Sequence, residues 1–543
     1  MSAFEFALQI ASGRRKLVDI SNFKISPNKI NFLFGESGIG KSIISKAIFG
    51  LIDPDDLDVK INKSDYLKYL NLPATKSVQE NGFFVFQEPS SHLNPLLPLY
   101  KQLSEGSLQN VDPSDEQAII RHLWNGAEEA FLNRLLKIFP KPYRPSGGEK
   151  QRILLAMAFK KIKIYLDSKS TKTALFVFDE PSGSLDNRFR NLFIQLLLEC
   201  YQLKPFTILI ITHDYSIISE VEKNYKDISA AVEYLELTRS ENMSVIHRQA
   251  VVNKPASSKQ ESKSPDQRFP INTFGNDIIK DSSENGLVLN DFSKEEYLSW
   301  IKKQSFVSSD AIHAGHVLLS VRSGINIFGK RLTFHKENLD SPEIELEVKR
   351  GELVYLKAQS GAGKTTVAKI IMGLVKAQRM VLSFDQQNVS HKTTEDFWRK
   401  HIWGQRASMV FQHADESLNQ NASVLEIFKA LSDTRKVNDA KVLRRIQELF
   451  DVKLKPSFLK KKIKFLSGGQ KQRINILRSL VLDTDILILD EPLNGLDLRS
   501  AHKIIEKIKQ RQADGKAILL ISHNEEIFDK IVKPENIYYL KST

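Results

Sequence analysis

The strongest constraint on this chain is a series of short motifs that occurs twice. Gly35-Glu36-Ser37-Gly38-Ile39-Gly40-Lys41-Ser42 is followed by Ser146-Gly147-Gly148-Glu149-Lys150-Gln151-Arg152, by Phe178-Asp179-Glu180-Pro181 and by His213. Ala358-Gln359-Ser360-Gly361-Ala362-Gly363-Lys364-Thr365-Thr366 opens a second series. Ser467-Gly468-Gly469-Gln470-Lys471-Gln472-Arg473, Leu489-Asp490-Glu491-Pro492 and His523 continue it in the same order. From Lys41 to Ser146 is 105 residues, and from Lys364 to Ser467 is 103. Shared order and spacing rule out a chance match and divide the chain into two large units.

Each unit is long enough to bury its own core. The single cysteine, Cys200, excludes a disulfide framework, a zinc site built on cysteines and an iron–sulfur cluster. No apolar run reaches the roughly 18–20 residues that span a bilayer. The N-terminus, Met1-Ser2-Ala3-Phe4-Glu5, has no basic region leading into an apolar stretch, so no signal peptide is expected. The formal charge is +13. That charge fits attraction to an anionic surface, or simply a solvated lysine-rich face. Its densest stretch, 453–473, runs into the second Ser-Gly-Gly motif.

The first unit is expected over 1–250. Lys29–Phe34 reads as a strand ending at the glycine loop, and Lys41–Leu51 as the helix after it. Leu175–Phe178, Thr207–Ile211, Ile486–Leu489 and Ala517–Ile521 are short apolar runs with the pattern of buried parallel strands. Alternating strands and helices imply an α/β sheet covered on both faces. A polar stretch at 253–285 reads as a tether, within a linker expected over 251–316. Inside that linker, Phe292–Ile301 reads as a short amphipathic helix opened by a Ser/Glu capping pair, packing back on a neighbouring domain. The second unit is expected over 317–543. Helix-rich stretches at Asp115–Ile138 and Asp439–Val452 suggest a helical subdomain inserted in each core.

The chemistry of the motifs is consistent. Glycines let backbone N–H groups turn inward around phosphates, and the next helix adds its N-terminal dipole. Lys41 and Lys364 are placed to reach the β and γ phosphates, and Ser42 and Thr365 to offer a hydroxyl to Mg²⁺. Asp179 and Asp490 end apolar strands, where a carboxylate can hold Mg²⁺ through water. Glu180 and Glu491 follow, where a general base for an attacking water belongs. His213 and His523 each follow a further strand and are placed to sense a γ-phosphate. Gln87 and Gln412 lie between loop and signature, where they can touch Mg²⁺ or the water.

These residues resemble the ATP-binding cassette ATPases over nearly all of both halves. The resemblance implies two P-loop NTPase domains, each with a RecA-like core and a helical subdomain, binding ATP and Mg²⁺. It also implies head-to-tail pairing of cassettes, either between the two halves of one chain, which the tether permits and which is the expected form, or by exchange between two chains. One site would then join Lys41, Ser42, Gln87, Asp179, Glu180 and His213 to Ser467, Gly468 and Gly469. The other would join Lys364, Thr365, Gln412, Asp490, Glu491 and His523 to Ser146, Gly147 and Gly148. Ser184-Leu185-Asp186 and Gly495-Leu496-Asp497 resemble the family's D-loop. Both sites are expected to hydrolyse ATP. An adenine-stacking aromatic is expected ahead of each phosphate loop. Phe328 or Phe334 would serve the second, and none is assigned to the first.

A narrower resemblance lies after the first glutamine. Phe86-Gln87-Glu88-Pro89-Ser90-Ser91-His92-Leu93-Asn94-Pro95 is similar to the peptide/nickel importer ATPases, here with both ATPases fused. It implies two membrane permease subunits and an extracytoplasmic solute-binding protein as partners. It also implies a place at the cytoplasmic face of the inner or plasma membrane, and no nucleic acid. The alternative is a ribosome-associated ATPase with two cassettes in one chain. That group resembles Asp-Glu-Pro-Thr-Asn-His-Leu-Asp where this chain has Pro181-Ser182-Gly183-Ser184-Leu185-Asp186.

Overall fold

The computed structural model describes residues 4–13, 15–105, 108, 111–140, 145–168, 173–181, 187–240, 286–307, 315–359, 361–429, 431, 439–450 and 453–543. The tether 253–285, the first D-loop segment 184–186 and Ser360 lie outside them.

The apolar runs form the centre of each half. In the first half Ile30–Phe34 lies between Thr207–Ile211 and Val232–Arg239, with Leu175–Asp179 and Phe83–Val85 continuing the parallel order. All five residues of Ile30–Phe34, Leu175–Asp179 and Thr207–Ile211 are buried, because helices cover both faces. The second half repeats this with Leu353–Lys357, Ala517–Ile521, Ile486–Asp490 and Ala407–Val410. The helices Lys41–Phe49 and Lys364–Ile371 leave directly from the glycine loops, capped by Gly40 and Gly363.

The helix-rich stretch of the first half is two helices, Pro113–Leu123 and Glu129–Leu136. The chain breaks between them where Asn125 and Gly126 take positive φ. In the second half the helix is Asp439–Gln447. The signature helices, Gly147–Asp167 and Gly468–Val481, both begin with a full capping box. Ser146 pairs with Glu149 in one and Ser467 with Gln470 in the other. Either residue at the third helical position satisfies the box, which accounts for Glu149 standing where the second copy has glutamine.

The halves differ at their outer strands. In the second half a four-stranded sheet containing Val317–Val321 is separate from an eight-stranded sheet. In the first half ten strands form one continuous sheet. The strand that joins its two parts is Leu287–Asp291, antiparallel to Val232–Arg239 and parallel to Arg15–Lys24 at Leu287 and Ile20. Residues 287–303 therefore fold onto the first half rather than forming part of a free linker. The helix expected at 292–301 is observed at Lys294–Lys303, and the Ser293 hydroxyl caps it by accepting from the Glu296 N–H at 3.2 Å.

Candidate functional site

The phosphate loops are held by backbone geometry. Gly38 and Gly40 have φ of 78° and 121°, and Gly361 and Gly363 have 79° and 101°. Side chains are strained there, which accounts for glycine at both places in both loops. The first loop also begins with Gly35 at φ 139°, where a Cβ would lie 2.7 Å from the Leu237 carbonyl oxygen. Ala358, at the same place in the second loop, is not among the residues of positive φ. An ordinary backbone angle thus admits alanine.

The two lysines adopt one geometry. Lys41 Nζ donates to the Gly35 and Glu36 carbonyls at 2.6 and 3.1 Å. Lys364 Nζ donates to Ala358 and Gln359 at 2.6 and 3.4 Å. Burial pulls the Lys41 pKa down, against the carboxylates of Glu180, Asp179 and Glu36.

A hydroxyl and a carboxylate converge beside each lysine. Ser42 Oγ donates to Asp179 Oδ1 at 3.0 Å. Thr365 Oγ1 lies 3.2 Å from Asp490 Oδ1 and 3.4 Å from Gln412 Oε1. Gln87, the first-half counterpart of Gln412, is exposed. Asp490 Oδ2 is buried without a hydrogen-bond partner. Burial pushes both aspartates up to about 6. A hydroxyl, a glutamine oxygen and a costly buried carboxylate form an all-oxygen donor set that fits Mg²⁺. When bound, that ion would neutralise phosphate charge. Ser42 and Asp179 would hold it in the first site, and Thr365, Gln412 and Asp490 in the second.

The sign of the aspartate shifts gives a prediction. A folded pKa of about 6 against 3.8 means the fold favours the protonated carboxyls. That contribution is complete below 3.8 and is lost as pH rises through about 6. A cation offsets the loss only where the groups ionise. The rise in Tm from Mg-ATP should therefore be larger at about pH 7.5 than at about pH 5. Equal rises at both would remove these aspartates from the ion site.

Glu180 and Glu491 follow the aspartates with φ of 50° and 47°, a left-handed conformation costly for glutamate. Their N–H groups donate to Ile211 and Ile521 carbonyls, each at 2.9 Å. His213 Nδ1 lies 2.8 Å from Glu180 Oε2. In the second half Glu491 Oε2 accepts from Ser522 Oγ at 2.9 Å and from the His523 N–H at 3.2 Å. His523 Nε2 is farther, 3.6 Å from Glu491 Oε1. Burial raises the Glu491 carboxyl and these donors pull it back. A buried carboxylate held beside a histidine can take a proton from a water admitted with the nucleotide.

The halves meet around the first loop. A Cβ on Gly38 would lie 3.5 Å from the Gly468 nitrogen and from Ser467 Cβ. Ser467 Oγ donates to Glu36 Oε1 at 3.0 Å, and Arg473 Nη1 lies 3.4 Å from the same oxygen. The Ser37 N–H donates to the Gly495 carbonyl at 3.1 Å. Thus Glu36, Ser37 and Gly38 are brought against Ser467, Gly468, Gly469 and the second D-loop segment. Among the described residues the other pairing shows no such contact: a Cβ on Gly361 would meet none of their atoms within 4 Å, and Ser146 and Gly147 are exposed. Near the centre the contacts are reciprocal. Asn187 Nδ2 donates to the His523 carbonyl at 3.1 Å, and the Leu498 N–H donates to Tyr215 Oη at 3.1 Å.

Of the two aromatics expected at the second loop, Phe334 is core, fully buried in the strand Lys330–His335. Phe328 is 79% exposed at the tip of the hairpin formed with Ile325–Ile327, with φ 50°. It alone has a free face for a base. The sequence placed Glu36 in the first phosphate loop but did not show its pairing with Arg473, nor the contacts of Tyr215, Tyr297 and Trp300. Glu36 carried a signal, a carboxylate inside a phosphate loop, which calls for a cation from elsewhere in the chain.

An ABC transporter family model matches residues 18–182 and 342–494. Over 94% of this chain, the uncharacterized ABC transporter ATP-binding protein YejF of Escherichia coli (strain K12) is 26% identical, and the match covers 88% of that protein. The peptidoglycan transport ATP-binding protein YejF of Agrobacterium fabrum is also 26% identical, over 93% of this chain and 84% of its own length. The glutathione import ATP-binding protein GsiA of Shigella dysenteriae is 22% identical over 97% and 82%. Among solved structures, RNase-L Inhibitor aligns over 95% of this chain and 86% of its own with a TM-score of 0.53 at 15% identity, a likeness of fold. Two matched domains, two phosphate loops and a shared interface give one conclusion: the chain belongs to the ABC transporter family and is an ATPase with two ATP-binding cassettes.

Proposed function

We propose that this chain is the ATP-driven motor of a membrane importer for peptides, metal chelates or similar small solutes. It would act on two permease subunits fed by an extracytoplasmic binding protein, from the cytoplasmic face of the membrane. Glu180 and Glu491 are the general bases, and His213 and His523 sense the γ-phosphate. Closure of the cassettes on ATP moves the permease helices, and hydrolysis resets them.

One observation carries the permease reading. A groove of about 700 Å³ opens in the first half's helical subdomain, on the segment that follows Gln87. Leu96, Leu97, Tyr100, Leu136 and Phe139 line it, with Lys101 and Lys137 among them. Leu96 is 77% exposed and Tyr100 46%. An exposed apolar groove with basic residues suits an amphipathic helix, and its attachment to the glutamine segment ties it to the nucleotide. The names of GsiA and the Agrobacterium YejF, which specify import and transport, support the same reading. Among the described residues no helix is long and apolar enough to cross a membrane.

The test is recovery of this protein from its native membranes in mild detergent. Polytopic membrane proteins should accompany it in fixed ratio. Leu96→Glu with Tyr100→Glu should abolish that recovery while the isolated protein still binds ATP. Ribosomal proteins in place of a permease would instead favour the translation-factor alternative.

A further inference from the structure

The structure assigns residues 287–304, which lie between the two motif series, to the first nucleotide site, as a strap that completes its sheet and holds the second half against it.

The first observation is a substitution of strands. In the second half Lys330–His335 lies beside the last strand, with Leu332 opposite Ser542 and Phe334 opposite Leu540. In the first half Leu287–Asp291 fills the same slot, with Leu287 opposite Arg239 and Leu289 opposite Leu237. The phosphate-loop strands fix the correspondence, since Phe34 pairs with Glu236 and Lys357 with Tyr539. Leu287 thus occupies the register of Leu332. The packing agrees: a Cβ on Gly40 would lie 3.7 Å from Leu287 Cδ1, and one on Gly363 would lie 3.7 Å from Leu332 Cδ1. The second half supplies this strand from the hairpin ahead of its phosphate loop. The first half has no such hairpin there, because Glu5–Ser12 turns directly into Arg15–Lys24. Its missing strand comes from more than two hundred residues downstream.

The second observation is where the strap leads. Phe292 packs on Phe34, the residue before Gly35, at 5.2 Å between ring centres, and on Tyr215 at 5.4 Å. Tyr297, fully buried, donates its hydroxyl to Glu526 Oε2 of the second half at 2.7 Å. Trp300 stacks on His502 at 4.0 Å and 20°. Burial pushes His502 down to about 4, so a neutral ring meets the indole. Lys509 Nζ donates to Gln304 Oε1 at 2.8 Å. His502 lies on the helix Leu498–Ala513, whose cap Asp497 accepts from Arg473 Nη2 at 2.8 Å. Arg473 in turn faces Glu36 on the first phosphate loop. The contacts run from that loop through the strap and the second half back to the same loop. Among the described residues, the Gly361 loop has no equivalent strap.

Tyr297 and Trp300 are therefore positioning residues for the first site: they keep Ser467 and Gly468 over the loop that Lys41 serves. The inference rests on the reading that both loops bind ATP, but not on a permease. The test uses the isolated full-length chain and calorimetric binding of a non-hydrolysable ATP analogue with Mg²⁺. Lys364→Ala leaves the first loop to bind, and Lys41→Ala leaves the second. In the Lys364→Ala background, Trp300→Ala should weaken binding by about five-fold. Tyr297→Phe, which removes one oxygen and leaves folding intact, should weaken it in the same direction. Trp300→Phe should restore it. In the Lys41→Ala background none of these should matter. Equal losses in both backgrounds, or losses in neither, overturn the proposal. So does an absence of binding by the Lys364→Ala protein.

Discussion

Glu180→Gln combined with Glu491→Gln should lower ATP turnover by about 10²- to 10⁴-fold while ATP still binds. Each glutamate follows its strand in a left-handed conformation that costs energy, with a backbone bond to the neighbouring strand. Glutamine preserves that backbone bond and the volume, and removes only the basic oxygen. Loss of binding along with turnover would mean the change acted on the site's shape. Turnover that survives the double change would remove both residues from the chemistry. The single changes should be unequal. Glu180 faces a site whose signature is already seated, with His213 at 2.8 Å. Glu491 faces a loop that shows no signature contact among the described residues.

Gly469→Val should remove hydrolysis from the first site alone. A Cβ there would sit 2.7 Å from Glu36 Oε1 and 2.8 Å from Glu36 Cγ. Glu36 also takes Ser467 and faces Arg473, so pushing it aside breaks the contacts that align signature and loop. Misplacement by about 1 Å can cost about 10²-fold in rate. In a Glu491→Gln background, where the first site carries turnover, a loss of that order is expected. In a Glu180→Gln background, where the second site carries it, the change should be small. Equal losses in the two backgrounds would show that Gly469 acts through folding rather than through the first site.

The parts of the fold set by local chemistry were legible in the sequence. Strands such as Leu175–Asp179 and Ala517–Ile521 are buried on both faces and read as unbroken apolar runs. The phosphate loops were legible because their backbone angles demand glycine at fixed intervals. Ser293 and Glu296 announced the helix that follows them. The strand Leu287–Asp291 was not legible. One of its five residues is buried, it ends in Asn290 and Asp291, and it follows a polar stretch. Its partner strand, Val232–Arg239, lies across that stretch, and no local pattern specifies such a pairing. The choice between Phe328 and Phe334 likewise needed the hairpin's register, since both are aromatic residues on the same short segment. The seating of the second signature on the first loop depends on packing between the halves, and the motifs carried only one trace of it, Glu36 where the second loop has Gln359.

The strap also bears on how the protein is made. A chain emerging from the ribosome presents its first phosphate loop early, but the strand that closes the surrounding sheet emerges only near residue 290. Until then Val232–Arg239 and Arg15–Lys24 each keep an unpaired edge, the kind of surface on which nascent chains stick to one another. The same geometry constrains gene architecture. Fission at the polar stretch would leave the first product short of a strand and give the second product a spare one. The two cassettes are thus separable as motifs but not as polypeptides.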